Sequence, residues 1–190
     1  EYNFYPTDGL TLFQRTGDEY FRIMGGWDVT ASPGVTAREG MNKLTPVTNW
    51  RGYCSKYNYA VGTTDGGENA VTGYIFEKMN ASDKKDVNDR GNSKGLNTLL
   101  YDFKAYKANF ILGDYFVALG AGVTNAKPAM EGGIRTTIDQ TAHIGAVTVI
   151  EKGKEKPLQE GRQSLITFEG QPVWVMQEGK FAYRVLPEFT

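Results

Sequence analysis

Asn109-Phe-Ile-Leu-Gly-Asp-Tyr-Phe-Val-Ala-Leu119 is the stretch whose reading decides the fold class. Each of its apolar runs is short, aromatic and β-branched, and Gly113-Asp114 between them is the kind of pair that a tight reversal of antiparallel strands needs. The same grammar continues on the C-terminal side, at Ile134 to Ile138, Ala146 to Ile150, Leu165 to Phe168, Val173 to Met176 and Phe181 to Val185. The stretches Glu151-Lys-Gly-Lys-Glu-Lys156 and Phe168-Glu-Gly-Gln-Pro172 read as charged or Gly/Pro-bearing connections. On the N-terminal side, Tyr57 to Val61 and Ala70 to Phe76 flank Thr63-Thr-Asp-Gly-Gly67, a hairpin signature. Further upstream, Gly9 to Gln14 reads as a short strand and Tyr20 to Met24 as a second apolar element, before Pro33-Gly34 forces a turn. Leu96, Leu99, Leu100 and Phe103 sit at helical spacing, while Tyr101, Phe103 and Ala105 alternate, and the alternation favours strand. Between Glu77 and Lys94 the chain is polar and reads as a long exposed loop. About ten short strands without crossover helices predict an all-β fold, an antiparallel β-sandwich with long surface loops, formed as one domain over residues 1–190.

Composition agrees and narrows the function. Of 190 residues, 40% are hydrophobic and 23% charged, which suits a globular core rather than disorder. A net charge of −1 provides no global attraction to nucleic acid or to an anionic membrane surface, and neither is expected as a partner. No apolar run approaches the roughly 18 residues of a membrane-spanning helix. The lone Cys54 cannot form an internal disulfide, and with the lone His143 it leaves no Cys/His zinc cluster; no cofactor and no metal are expected. The chain begins at Glu1 without a leader-like stretch, which suggests a mature fragment or an excised domain of a larger protein.

Catalytic signatures are sparse. There is no Gly-x-Ser-x-Gly elbow, phosphate-binding glycine loop or His-Glu-x-x-His helix. Asp86-Val-Asn-Asp-Arg-Gly91 begins like a calcium loop but puts Arg90 where an oxygen ligand is needed and Asn97 where the bidentate Glu belongs. His143 lacks a partner pattern and reads as structural, and Asp65 and Asp114 read as carboxylates capping their own turns. The aromatic residues are more informative. Trp27, Trp50, Tyr53, Tyr57 and Tyr59 interleave with Arg38, Arg51 and Lys56. Aromatic faces stack on the C–H faces of sugars and cations pair with uronate or sulfate, so the mixture suits an anionic polysaccharide, with core filling as the alternative for any one ring. Trp50 lies in a loop-like stretch beside Arg51. Trp50, Arg51 and Tyr53 are therefore the candidate substrate-binding residues, against the alternative that Trp50 folds back as a lid over the core.

Four blocks stand out in order along the chain: Tyr5-Pro-Thr-Asp-Gly-Leu-Thr-Leu12, Trp27-Asp-Val-Thr-Ala-Ser-Pro-Gly-Val-Thr36, Ala60-Val-Gly-Thr-Thr-Asp-Gly66, and the run from Tyr106 to Gly122 with Ile134-Arg-Thr-Thr-Ile138. Together they resemble polysaccharide lyase family eight, the bacterial hyaluronate, chondroitin and xanthan lyases. Val173 to Tyr183 forms a fifth. Departures from the family pattern are Gln177 where a His-Asp-Gly turn is expected to begin, Arg135 in place of an acid before Thr-Thr, and an apparent insertion over Ala126 to Gly133.

The resemblance implies the central β-sandwich of a secreted or periplasmic lyase that cleaves uronate-containing polysaccharide by β-elimination. It also implies an α/α toroid domain of the same protein, carrying the catalytic Asn, His, Tyr and Arg, so no catalytic residue is assigned here and the chain alone is expected to be inactive. The competing expectation is a stand-alone carbohydrate-binding or structural β-sandwich.

Overall fold

A computed structural model describes residues 9–28, 31–39, 59–77, 103–125, 128–129, 132–159, 161, 166 and 170–186. No helix occurs among the described residues, and ten strands form antiparallel sheets, as expected of an all-β chain. Two compact units emerge: Glu1–Leu12 with Gly26–Gln140, and Phe13–Gly25 with Thr141–Thr190.

In the first unit, β2 (Ala60–Thr64), β3 (Asn69–Glu77), β4 (Phe103–Leu112) and β5 (Tyr115–Asn125) make a four-stranded meander in chain order. Both expected hairpins are present. Gly113, at φ +57°, turns β4 into β5, with Leu112 opposite Tyr115. At the β2–β3 turn, Asp65 accepts hydrogen bonds from Asn69 Nδ2 at 2.6 Å and from the Gly67 N–H at 2.8 Å, and these donors hold its carboxyl below the usual aspartate range. The capping role read for this residue is what the turn requires.

The same unit contains a short ribbon that the sequence does not advertise. β1 (Thr36–Arg38) pairs antiparallel with β6 (Ile134–Thr136), and all three residues of β1 are buried. Pro33, Val35 and Ala37, together with Ala105 of β4, are buried apolar residues of this unit.

The second unit is a sheet of order β10-β9-β7-β8, from β7 (Val147–Glu151), β8 (Lys154–Pro157), β9 (Val173–Gln177) and β10 (Ala182–Val185). Val149 and Val173 are buried, and on the same face Phe13, Phe181 and Tyr183 form an aromatic cluster with ring centroids 6.0–6.5 Å apart. Such tilted and edge-on contacts are favoured geometries for aromatic pairs.

Three local expectations are corrected. Gly9 to Gln14 forms no strand: Thr11 N–H donates to Pro33 O and Phe13 N–H donates to the Tyr20 hydroxyl, so its amides find isolated partners rather than a ladder. Tyr20 to Met24 is a set of turns, with Arg22 at φ +57° and Phe21 and Met24 exposed. Conversely, Glu151 to Lys156 is not merely a connection. Lys152 and Gly153 both adopt positive φ, the geometry of a two-residue hairpin turn, and Lys154 starts β8. β8 is exposed along its length, so it carries no apolar signal for a pattern search to find. The loop expected over 77–94, the calcium-like stretch 86–97 and the strand expected over 96–103 lie outside the described residues, except Glu77, which ends β3, and Phe103, which begins β4. The strand expected at 165–168 also lies outside them apart from Ile166.

Candidate functional site

The segment from Trp27 into β1 is built as a fixed turn. Asp28 O accepts from the Ala31 N–H at 3.0 Å, and Gln140 clamps the bend by accepting from the Asp28 N–H at 2.7 Å and donating to Asp28 O and Ala31 O at 3.1 Å. Trp27 Nε1–H donates to Ser32 Oγ at 3.3 Å. Gly34 then takes φ +75°, in the region other residues enter only with strain. A Cβ there would lie 2.4 Å from Gly9 O and 2.8 Å from Thr11 Oγ1. Its own carbonyl accepts from Lys107 Nζ at 2.7 Å, and its N–H donates to Thr137 O at 2.8 Å.

Two guanidinium groups stand on the ribbon that follows. Arg38 is only 2% exposed; Nη1 donates to Gly132 O and Nη2 to Asn125 Oδ1, each at 2.7 Å, while Nε has no acceptor. Both partners are neutral, and among the described residues no carboxylate pairs with it. Arg135 is partly exposed and has two loose contacts, 3.4 Å to Asp28 and 3.6 Å to Glu39. Exposed pairs at such distances contribute about 0–1 kcal/mol, so a ligand carboxylate or sulfate could compete for this guanidinium. Asp28 and Arg135 belong to two different resemblance blocks. The ion pair accommodates the cation that stands before Thr136-Thr137.

The candidate residues Trp50, Arg51 and Tyr53 lie outside the described residues, as do Lys56 and Tyr57. Of the interleaved aromatic and basic set, Tyr59 is exposed, Trp27 is half-buried, and Arg38 is buried rather than available at the surface as the pattern suggested. Gln140 and Glu39 organise this region, and neither residue type at an isolated position carries a sequence signal that would reveal it.

A second polar cluster lies in the other unit. Glu19 is buried and accepts hydrogen bonds from the N–H groups of Arg15, Thr16 and Gly17 at 2.8–2.9 Å, with Lys180 Nζ at 3.4 Å. Burial alone would raise its pKa, but the backbone donors outweigh that and hold the carboxyl far below the usual glutamate range. Lys180 also bonds Asp18, and this bond raises its pKa above the ordinary lysine value. The donors converge on Glu19 and Asp18, and the cluster reads as the lock of a turn. His143 is exposed and has no hydrogen-bond partner among the described residues, and no group of three His, Cys, Asp or Glu side chains among them could hold a metal ion. Of the cations Arg38, Arg135 and Lys180, Arg135 is the one that the described residues leave exposed with only loose contacts.

Residues 1–189 match the polysaccharide lyase family 8 super-sandwich domain. The chain belongs to that family. Among curated proteins, chondroitinase-AC from Pedobacter heparinus is 28% identical over 176 residues, which cover 92% of this chain. The chain spans about a fifth of that relative's length. No solved structure matches it at a significant level. The family 8 assignment accords with the antiparallel sheets described above.

Proposed function

We propose that this chain is the β-sandwich portion of a bacterial lyase that cleaves uronate-containing polysaccharide by β-elimination, working with an α/α toroid domain of the same protein. The observation that carries the proposal is the family 8 super-sandwich match over almost the whole chain, joined to a chondroitinase relative of which the chain spans a fifth. β-Elimination needs one group to neutralise the uronate carboxylate, so that the C5 proton becomes acidic, and a base within hydrogen-bond reach of that proton. The electron pair left at C5 forms the C4–C5 double bond as the C4–O bond breaks, and the departing glycosidic oxygen takes a proton from the protonated base or from a second acid. With one histidine in 190 residues and no family catalytic motif, this chain contributes a wall of the cleft and support for the toroid. Trp50, Arg51 and Tyr53 are its cleft residues: the indole stacks on a sugar ring and the guanidinium meets an acidic group. The substrate is a polymer too large for uptake intact, so the enzyme acts in the periplasm or outside the cell.

The test is incubation with hyaluronan, chondroitin and xanthan, followed by the ultraviolet absorbance of the unsaturated uronate product. The protein carrying the toroid should turn over at least one of these polymers, and the 190-residue chain alone none. Turnover by the chain alone would place the base within it. If the longer protein binds acidic sugar but produces no unsaturated ends, the non-catalytic binding module is the correct reading. In the longer protein, Trp50→Ala should weaken oligosaccharide binding or turnover while keeping the melting temperature within a few degrees. A large loss of stability with intact sugar affinity would identify Trp50 as core.

A further inference from the structure

In the second unit, strand alternation places the largest side chain of β9 on the side opposite the core. Val173 and Gln177 are buried, whereas Trp174 is 37% exposed. Register aligns four residues across the sheet in one row: Arg184 of β10 opposite Trp174 of β9, Trp174 opposite Ile150 of β7, and Ile150 opposite Glu155 of β8. The Arg184 guanidinium lies over the indole at 5.6 Å from the ring centroid. Among the described residues it has no carboxylate partner. Trp174 sits inside an alternating strand, and the period of two puts it on the outward side.

We infer that Trp174 and Arg184 form a second carbohydrate-binding surface, one that takes an acidic sugar residue of a polysaccharide. A β-sheet face is flat, and an indole held on it by cross-strand neighbours offers a preordered platform for the C–H face of a pyranose ring. A guanidinium beside that platform matches the planar, two-oxygen geometry of a carboxylate, and of sulfate equally. The cation–π contact fixes Arg184 next to the ring without neutralising its charge, so the cation stays available to an anion. Charge complementarity identifies the ligand. An exposed Trp beside an Arg that meets no carboxylate among the described residues favours an anionic sugar over a neutral one, and an apolar protein partner would have to desolvate the guanidinium. The surface uses none of the residues proposed for the catalytic cleft, and the inference takes from the proposed function only its choice of probes.

The experiment is titration calorimetry of the 190-residue chain with octasaccharides of hyaluronan, which carries carboxylate alone, of chondroitin sulfate, which carries carboxylate and sulfate, and of neutral cellulose fragments. Saturable binding of the acidic oligosaccharides is expected, with little or none for the neutral one. Trp174→Ala should weaken acidic binding at least tenfold, Arg184→Gln should do so with the indole in place, and Trp174→Phe should retain part of it. Equal affinity for hyaluronan and chondroitin sulfate assigns the carboxylate as the recognised group; a gain with chondroitin sulfate that Arg184→Gln removes assigns the sulfate. Circular dichroism and melting check that each variant is folded. Wild-type affinity in folded Trp174→Ala and Arg184→Gln variants, or no saturable binding by the folded wild-type chain, would overturn the inference. Failure of β-elimination by the longer protein would leave this binding result unaffected, so the two readings fail separately.

Discussion

Each unit buries a cation, and the two are treated in opposite ways. Lys180 meets two carboxylates, Asp18 and Glu19, the second of which is itself locked by three backbone N–H groups. Arg38 meets two neutral oxygens and keeps one N–H unpaired. The units also differ in where burial lies. In the first, the eleven-residue β5 is exposed at every position but one, while the three-residue β1, with Ser32, Pro33 and Val35 before it, is buried. In the second, β9 divides its residues between a buried and an exposed face. Strand length therefore measures the hydrogen-bonded ladder and not the core. Among the described residues, the charge set in the short buried ribbon is held by neutral oxygens rather than by a counterion.

The largest effect expected is at the turn that feeds β1. Gly34→Val would force a β-branched residue to positive φ and drive its Cβ into Gly9 O, and we expect a loss of about 3 kcal/mol or more. Unchanged thermal stability would show that the first unit does not depend on this turn for its core.

Next comes Lys180→Met, which strands the buried Glu19 carboxylate without its cation. A fall of several degrees in melting temperature is expected, larger than for any change at Arg38. The same cluster sets an acid limit. Glu19 and Asp18 are both held below their ordinary pKa values, so their contribution is fully present above the unfolded-state carboxylate range. It drains away as pH falls below that range, because the unfolded chain takes up protons that the native state does not. Lys180, raised above the lysine value, behaves in the opposite sense and loses its contribution only as pH rises into and past the lysine range. Removing Glu19, as Glu19→Gln, should flatten the acid limb of a melting-temperature profile. An unchanged acid limb would show that other carboxylates set it.

Arg38→Met sharpens the contrast. It removes a buried charge that meets no carboxylate among the described residues, together with the donor to two neutral oxygens, so a loss of about 1 kcal/mol in chemical denaturation is expected, smaller than that at Lys180. A loss as large as that of Lys180→Met would mean that the two neutral acceptors hold Arg38 as firmly as two carboxylates hold Lys180. The smallest effect belongs to Arg135→Ala, which breaks two exposed contacts of 3.4 and 3.6 Å and should cost less than about 1 kcal/mol. A larger cost would mark Arg135 as the brace of the ribbon rather than a cation free to meet a ligand.

Hairpins were legible because their signals are local. Gly113-Asp114 and Thr63 to Gly67 place turn formers between alternating runs, and both turns are where the residues put them. β8 escaped because a solvated strand needs no apolar residue, and Gly9 to Gln14 misled because an alternating run becomes a strand only if a neighbour supplies a ladder. β1 could not be read: its partner β6 lies about a hundred residues away, and three residues carry too little pattern to define a period. At the candidate site, the resemblance blocks identified Trp27 to Thr36 and Ile134 to Ile138 separately. Nothing in either block said that Asp28 would meet Arg135 or that Gln140 would clamp the bend.

The sequence by itself determined an all-β chain of short antiparallel strands and its kinship with polysaccharide lyase family 8, because turn chemistry, strand period and ordered motifs are written in neighbouring residues. Only the tertiary structure decided which charges are buried and which are available, and which side of β9 faces solvent. Alternation along a strand gives two faces without saying which one is covered. A cation's environment is likewise set by side chains distant in sequence: by Asn125 and Gly132 for Arg38, and by Asp18 and Glu19 for Lys180.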